Sequence, residues 1–354
     1  MLVREERGRA ARLYLYSSVF WLVTGLAVGV LGTFLFGNPD FYRNAPGGLR
    51  QVLHFARLQP VYMNTLIFGW LSMALIGVAL TLAPRLTGIA LRHESLAQLS
   101  AWGFNLVVAL GNLGLLAGVT KGRELAEYPL PLNWLWLLSL VAVAVVLLDN
   151  YRRRLVQDLY VSLWYFAGSL VWVAILYFLG NVMWKPNGVL WGVADAIVHW
   201  FYASNVVHLW LGMMGLGVAY YLVPVLAERP LYSQTLATVG FWGMACFLPA
   251  TGAYLMWNPM PSWFQSSVTA FAALLTIPMW AVLANLTATI GDRWGTLWRS
   301  PAGKFLVAGL AFYLLTWIAL VAENLPAVSG TTFFTYWVSH QAHLGLMGAY
   351  GFTA

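Results

Sequence analysis

The sequence predicts an all-α, polytopic membrane protein, a bundle of about ten transmembrane helices forming a single domain over residues 1–354. Three observations predict it. Of the 354 residues, 60% are hydrophobic and only 9% are Asp, Glu, Lys or Arg, against about a quarter charged in an ordinary soluble domain. The apolar residues gather in runs long enough to cross a hydrocarbon core of about 30 Å, which takes about 20 residues of helix. The Lys and Arg residues between the runs fall unequally on the two sides. So little charge cannot cover a water-facing globule of this size, which excludes a soluble enzyme, a disordered chain and a nucleic-acid binder. A single cysteine, Cys246, excludes a disulfide framework and any cysteine-based metal cluster. The net charge of +7 reads as basic loops on one face of a bilayer.

The first run, 13–36, follows Arg4, Glu5, Glu6, Arg7, Arg9 and Arg12, and is too long and too deep in the chain for a cleaved signal peptide. Arg43, Arg50 and Arg57 lie before the second run, 62–83. Arg85 and Arg92 separate it from the third, 96–119, and Lys121 and Arg123 separate the third from the fourth, 130–148. Arg152, Arg153 and Arg154 precede the fifth, 160–180, and Lys185 precedes the sixth, 204–226. Arg229 stands before the seventh, 233–257; Arg293, Arg299 and Lys304 divide the eighth, 264–290, from the ninth, 304–322; the tenth covers 333–353. With the N-terminus cytoplasmic, 13 Lys or Arg residues fall inside and 6 outside, the sense that the positive-inside rule requires. The tenth run stops at Ala354 with no basic cap, so the sequence reads as cut short.

Chemistry in such a chain is sought first among its six histidines: His54, His93, His199, His208, His340 and His343. An ionisable residue inside a membrane is a functional candidate by default, although a neutral imidazole bonded to a neighbour is the plainer alternative. His93, between Arg92 and Glu94, reads as a solvated loop residue. Ser339-His340-Gln341-Ala342-His343-Leu344 puts two imidazoles three residues apart, about 300° around a helix and so on neighbouring faces. That spacing is either a metal edge or two separately bonded rings. Asp195 and Glu323 lie toward helix ends, and the middles of the runs hold no secure Asp, Glu or Lys for a proton relay. Phosphate-loop, C-x-x-C, H-E-x-x-H and G-x-S-x-G patterns are absent.

Gln341-Ala342-His343-Leu344-Gly345-Leu346-Met347-Gly348-Ala349-Tyr350 resembles helix ten of the large subunit of haem–copper nitric oxide reductases, H-A-H-L-x-x-x-G-A-Y. Trp191 to Asn205, through Asp195, Trp200, Tyr202 and Asn205, is similar to the segment entering helix six of cbb3-type cytochrome c oxidases, D-A-x-V-x-W-x-Y-G-H-N. The likeness continues through Tyr220 to Pro224, Ala227 to Ser233, Phe241-Trp242 and Pro261 to Ser266. Arg57-Leu58-Gln59-Pro60-Val61-Tyr62-Met63-Asn64 resembles that family's R-L-x-P-x-H-x-N. The motifs occur in the family's order and cover ten of its usual twelve helices. The resemblance is to haem–copper oxidase subunit I of the cbb3 and nitric oxide reductase type, and it implies a place in respiratory electron transfer.

The departures bear on the chemistry. By the resemblance, the low-spin haem ligand of helix two falls on Tyr62 and the copper ligand of helix six on Ser204. The copper pair of helix seven falls on Ala253 and Tyr254, and the high-spin haem ligand of helix ten on Gln341. Of six implied histidine ligands only His343 remains. With the N-terminus inside, all these positions fall in the outer half of the bilayer. His208, one turn after Ser204 in Val207-His208-Leu209-Trp210, resembles a stretch that carries a copper ligand in nitric oxide reductases. A copper held by imidazoles is not supplied by Ser, Ala and Tyr. The reading is therefore a catalytically degenerate subunit I that keeps one haem b at His343, with Tyr62 as the second ligand, and no copper. It implies partner subunits, a c-type cytochrome among them, and an inner (cytoplasmic) membrane with the N-terminus cytoplasmic. Two alternatives stand. One is a working oxidoreductase for oxygen or nitric oxide with rearranged ligands, His343 and Tyr62 on a haem, and His208 with His340 near a metal. The other is a non-redox scaffold or transport module. Gly69, Gly77, Gly103 and Gly111 would admit either a porphyrin or a closely packed helix.

Overall fold

The structure is a computed structural model that describes residues 8–44, 46–182, 190–252, 260–332 and 335–354. The described residues are helical between loops and contain no strand. Among the described residues, eight helices are long and apolar enough to cross a membrane: α1 (Arg9–Gly37), α2 (Phe55–Thr87), α3 (Glu94–Ala117), α4 (Leu130–Arg152), α5 (Val161–Asn181), α6 (Gly192–Ala227), and two more given below. The seventh run forms α7 (Gln234–Phe247) and one tighter turn, Leu248–Ala250. It is followed by α8 (Ser262–Ile290) and α9 (Pro301–Glu323), and the tenth run gives α10 over 337–350. The all-α, polytopic fold class is the one the sequence predicts; parts of the seventh and tenth runs, 253–257 and 333–334, lie outside the described residues. Several bounds move, two helix starts the most. α2 begins at Phe55 rather than 62, and α6 at Gly192 rather than 204, because polar turns carrying Arg57 and Asp195 continue into the apolar runs.

Local sequence sets the ends. His54 caps α2 by accepting the Ala56 N–H at 3.2 Å. Gly88 and Gly118, at φ 75° and 90°, close α2 and α3 in the left-handed conformation that glycine adopts without strain. Ser300 caps α9 on the Gly303 N–H at 3.0 Å, with Pro301 at its first position.

The chain packs as two compact units, Met1–Leu155 and Val156–Ala354. In the first, α2 is the enclosed helix: 89% of its most apolar stretch is buried, against 22% for α1. Polar side chains join the helices where lipid offers no alternative partner. The Tyr14 hydroxyl meets Ser100 Oγ at 2.7 Å, and Ser100 donates to the Ser139 carbonyl, linking α1, α3 and α4. In the second unit α6 is the enclosed helix. Asn285 of α8 accepts the Ser233 N–H at 3.0 Å and donates to the Ser233 carbonyl at 2.8 Å, fixing where α7 begins.

Three helices widen into π-helix one to three residues after a position singled out by the sequence (Tyr62, Ser204 and His343): Thr65–Leu71 in α2, Val206–Gly212 in α6 and Leu344–Tyr350 in α10. A fourth such segment, Phe178–Val182, ends α5. π turns are rare and recur at functional sites.

Candidate functional site

In the second unit α6 and α10 bring together His208, Gln341 and Tyr350. His208 is buried, 3% exposed. Its Nδ1 lies 2.9 Å from the Tyr350 hydroxyl and its Nε2 lies 3.4 Å from the Gln341 amide nitrogen. Both ring nitrogens are thus occupied by side chains of α10. Tyr350 meets the imidazole edge-on at 6.3 Å, and the Trp317 ring of α9 lies 5.9 Å away. The plainer sequence reading of His208, a buried imidazole bonded within the bundle, describes this geometry. Gln341 faces His208, whereas His340 is exposed and bonded through Nδ1 to the Tyr336 carbonyl at 2.7 Å. The H-x-x-H pair is therefore two separately bonded rings.

His343 is half-buried at the last α-helical position of α10. Its Nδ1 lies 2.6 Å from the Ser339 carbonyl. A carbonyl only accepts, so Nδ1 carries the proton and the lone pair of the neutral ring lies on Nε2, the arrangement of an imidazole oriented for a metal. Ser204 lies on α6 against Gly252, whose φ of 95° and missing side chain admit it; a Cβ there would sit 2.6 Å from the Ser204 Cβ. Ala253 and Tyr254 lie outside the described residues. Among the described residues no three His, Cys, Asp or Glu side chains converge to hold a metal ion. At the described positions the donor set is therefore a poor fit for copper.

In the first unit, Tyr62 is half-buried two residues before Asn64, with its ring laid against Gly29 of α1; a Cβ at residue 29 would come within 2.7 Å of it. Gly111 faces the Tyr128 ring, Gly103 faces Ser139, Gly69 faces Trp21, and Gly77 faces Leu15 and Tyr14. These glycines admit protein side chains, which decides between the two readings left open for them.

Sequence reasoning missed a buried carboxylate. Glu127, just ahead of α4, is 6% exposed and accepts from Asn64 Nδ2 at 2.9 Å. Burial holds its carboxyl up to about 7, with the Asn64 bond opposing. Burial also raises Glu124 and brings the Lys121 ammonium down to about 8, beside Arg123 and Glu127. Nearby, Tyr128 donates to Asn112 Oδ1 at 2.8 Å, and Asn112 donates to Thr65 Oγ1 at 2.8 Å. The only sequence signal was two acids beside two bases in a short loop, which reads as solvated. Asn64 and Asn205, each the residue before a π segment, turn their amides onto the carbonyl four residues back, both at 2.8 Å.

Comparison with known proteins supplies the family. Residues 9–354 match the family model described as cytochrome c and quinol oxidase polypeptide I. A cbb3-type cytochrome c oxidase subunit CcoN1 of Stutzerimonas stutzeri is 30% identical over 346 residues, which cover 96% of this chain and 72% of that one. A cytochrome c oxidase subunit 1 of Rhodobacter capsulatus is 27% identical over 341 residues, covering 94% and 64%. A quinol oxidase subunit 1 of Sulfolobus acidocaldarius is 27% identical over 379 residues, covering 94% and 68%. The chain belongs to the haem–copper oxidase subunit I family and is an integral, multi-pass membrane protein. It spans about two thirds of the length of these curated relatives.

Proposed function

We propose that this chain is a cbb3-like subunit I of a respiratory electron-transfer complex, that it lacks a copper centre, and that it retains one haem b on Nε2 of His343. The observation that carries the reading is that, of the six ligand positions the family resemblance implies, only 343 is still a histidine. The His343 ring is tied through Nδ1 to its own helix and so directs its lone pair from Nε2. His208 meets Gln341 and Tyr350 on its two nitrogens. Ser204, at a position that the family resemblance gives to a copper imidazole, supports the absence of copper, and Gln341, at the one it gives to the high-spin haem, supports the absence of that haem. A haem, when bound, supplies a one-electron carrier. The His343 ring, held through Nδ1 on the Ser339 carbonyl, would then orient it. On this reading the partners are other subunits of the complex, a c-type cytochrome among them, in an inner membrane with the N-terminus cytoplasmic.

The test is metal analysis of the purified full chain in its complex, with a reduced-minus-oxidised spectrum. One haem b per chain without copper is expected, and His343→Ala should remove the haem band while helical circular dichroism is unchanged. Two haems with copper would instead point to a working oxidoreductase. A haem band that survives His343→Ala would overturn the ligand, and a chain with no haem would be a scaffold.

A further inference from the structure

At one end of the first unit is a cavity of about 590 Å³ that the electron-transfer reading does not use. It lies where α1 begins at Arg9, α2 ends at Thr87 and α3 begins at Glu94. Three spans start or stop there, which places it at a membrane boundary, the level of lipid headgroups. Its walls are of two kinds. Leu15, Leu80, Pro84 and Leu91 form an apolar trough, and Arg12 and Arg85 bring two guanidinium groups to the same cavity. Glu94, the acid in this lining, accepts the Ala10 N–H at 3.2 Å and so is committed in part to the start of α1.

A cavity lined by both hydrocarbon and two planar cations complements a molecule with a hydrocarbon tail and a phosphate head. Guanidinium groups match phosphate oxygens in paired hydrogen bonds, and anionic headgroups concentrate where basic residues border a span. The volume lies within the range of built ligand pockets, about 300–1,000 Å³. We propose that this cavity binds an anionic phospholipid, with the phosphodiester between Arg12 and Arg85 and the upper part of one acyl chain along Leu15 and Leu80.

The test uses the full chain, purified in detergent, given an equimolar mixture of phosphatidylglycerol and phosphatidylcholine, and examined by native mass spectrometry. The wild-type chain is expected to retain phosphatidylglycerol over phosphatidylcholine by about tenfold. The R12Q/R85Q variant should bring that ratio near one, and R12K/R85K should keep part of it. Leu91→Glu, which puts a carboxylate into the trough and leaves both arginines in place, should lower it independently. Circular dichroism checks that each variant is folded. Equal retention of the two lipids by the wild-type chain, or an undiminished preference in R12Q/R85Q, would overturn the proposal. Displacement of the lipid by millimolar inorganic phosphate would also overturn it, because the site would then recognise the free ion.

Discussion

Replacing His208 by Phe separates a structural imidazole from a metal ligand. Phe keeps the ring between Trp317 and Tyr350, now 5.9 and 6.3 Å from the imidazole centroid, so no large cavity forms. What is lost is two bonds, to the Tyr350 hydroxyl at 2.9 Å and the Gln341 amide at 3.4 Å. Interhelical hydrogen bonds in membrane bundles average about 0.6 kcal/mol and reach about 1.7. A polar group left buried without its partner costs about 1–3 kcal/mol. His208→Phe should therefore lower unfolding free energy by about 1–3 kcal/mol, measured by unfolding in mixed micelles of rising SDS content. Tyr350→Phe removes the same bond from the other side. The double variant should consequently be more stable than the sum of the single changes by about 0.6–1.7 kcal/mol, while haem content stays constant in all three. Additivity within about 0.3 kcal/mol, or loss of bound metal in His208→Phe, would refute the reasoning.

Glu127 predicts a pH dependence with a definite sign. Its folded carboxyl keeps its proton up to about pH 7, against an ordinary value of 4.5, so its contribution to stability is complete below about 4.5 and disappears as pH rises through about 7. Glu127→Gln should flatten this fall in unfolding midpoints recorded from pH 4.5 to 8; an unchanged slope would place the titration elsewhere. Gly111→Ala drives a methyl into the Tyr128 ring, an overpacking worth about 1–3 kcal/mol, and a variant as stable as the parent would contradict that approach. Asn285→Ala removes both bonds that hold Ser233 and should cost about 1–3 kcal/mol, with faster hydrogen exchange confined to the first turn of α7.

The spans were legible because crossing a bilayer is a one-dimensional requirement. The ninth run, 304–322, became Pro301–Glu323, and the fourth, 130–148, became Leu130–Arg152. Where the boundary moved, polar residues had entered a helix for a tertiary reason. Arg57 donates to the Leu116 carbonyl at 2.7 Å, so a cation that marks a loop in the sequence anchors the first turns of α2. The local motifs around Tyr62, Ser204 and His343 were also legible, and each of these residues lies one to three positions ahead of a π segment. The polar clusters were not. His208 meets partners 133 and 142 residues away, and Glu127 is buried by the fold of a loop that a scan for charge within spans passes over. Burial of a polar group comes from the packing of distant elements, and no local period encodes it.

On the proposed reading, Ser204 and His208 are two ways in which a bundle of this family could outlast its copper. A buried imidazole without a partner is costly, so losing a metal from such a position requires either losing the histidine or answering it. Both solutions fit what α6 carries on the proposed reading. Ser204 is small enough to close on Gly252. At His208, an amide and a hydroxyl from α10 meet both ring nitrogens. Whatever its place on the proposed reading, Gln341 is one of the two groups that meet the ring nitrogens of His208. A Gln341→Ala change should destabilise the chain through His208, an effect that a residue merely filling an abandoned ligand position would lack.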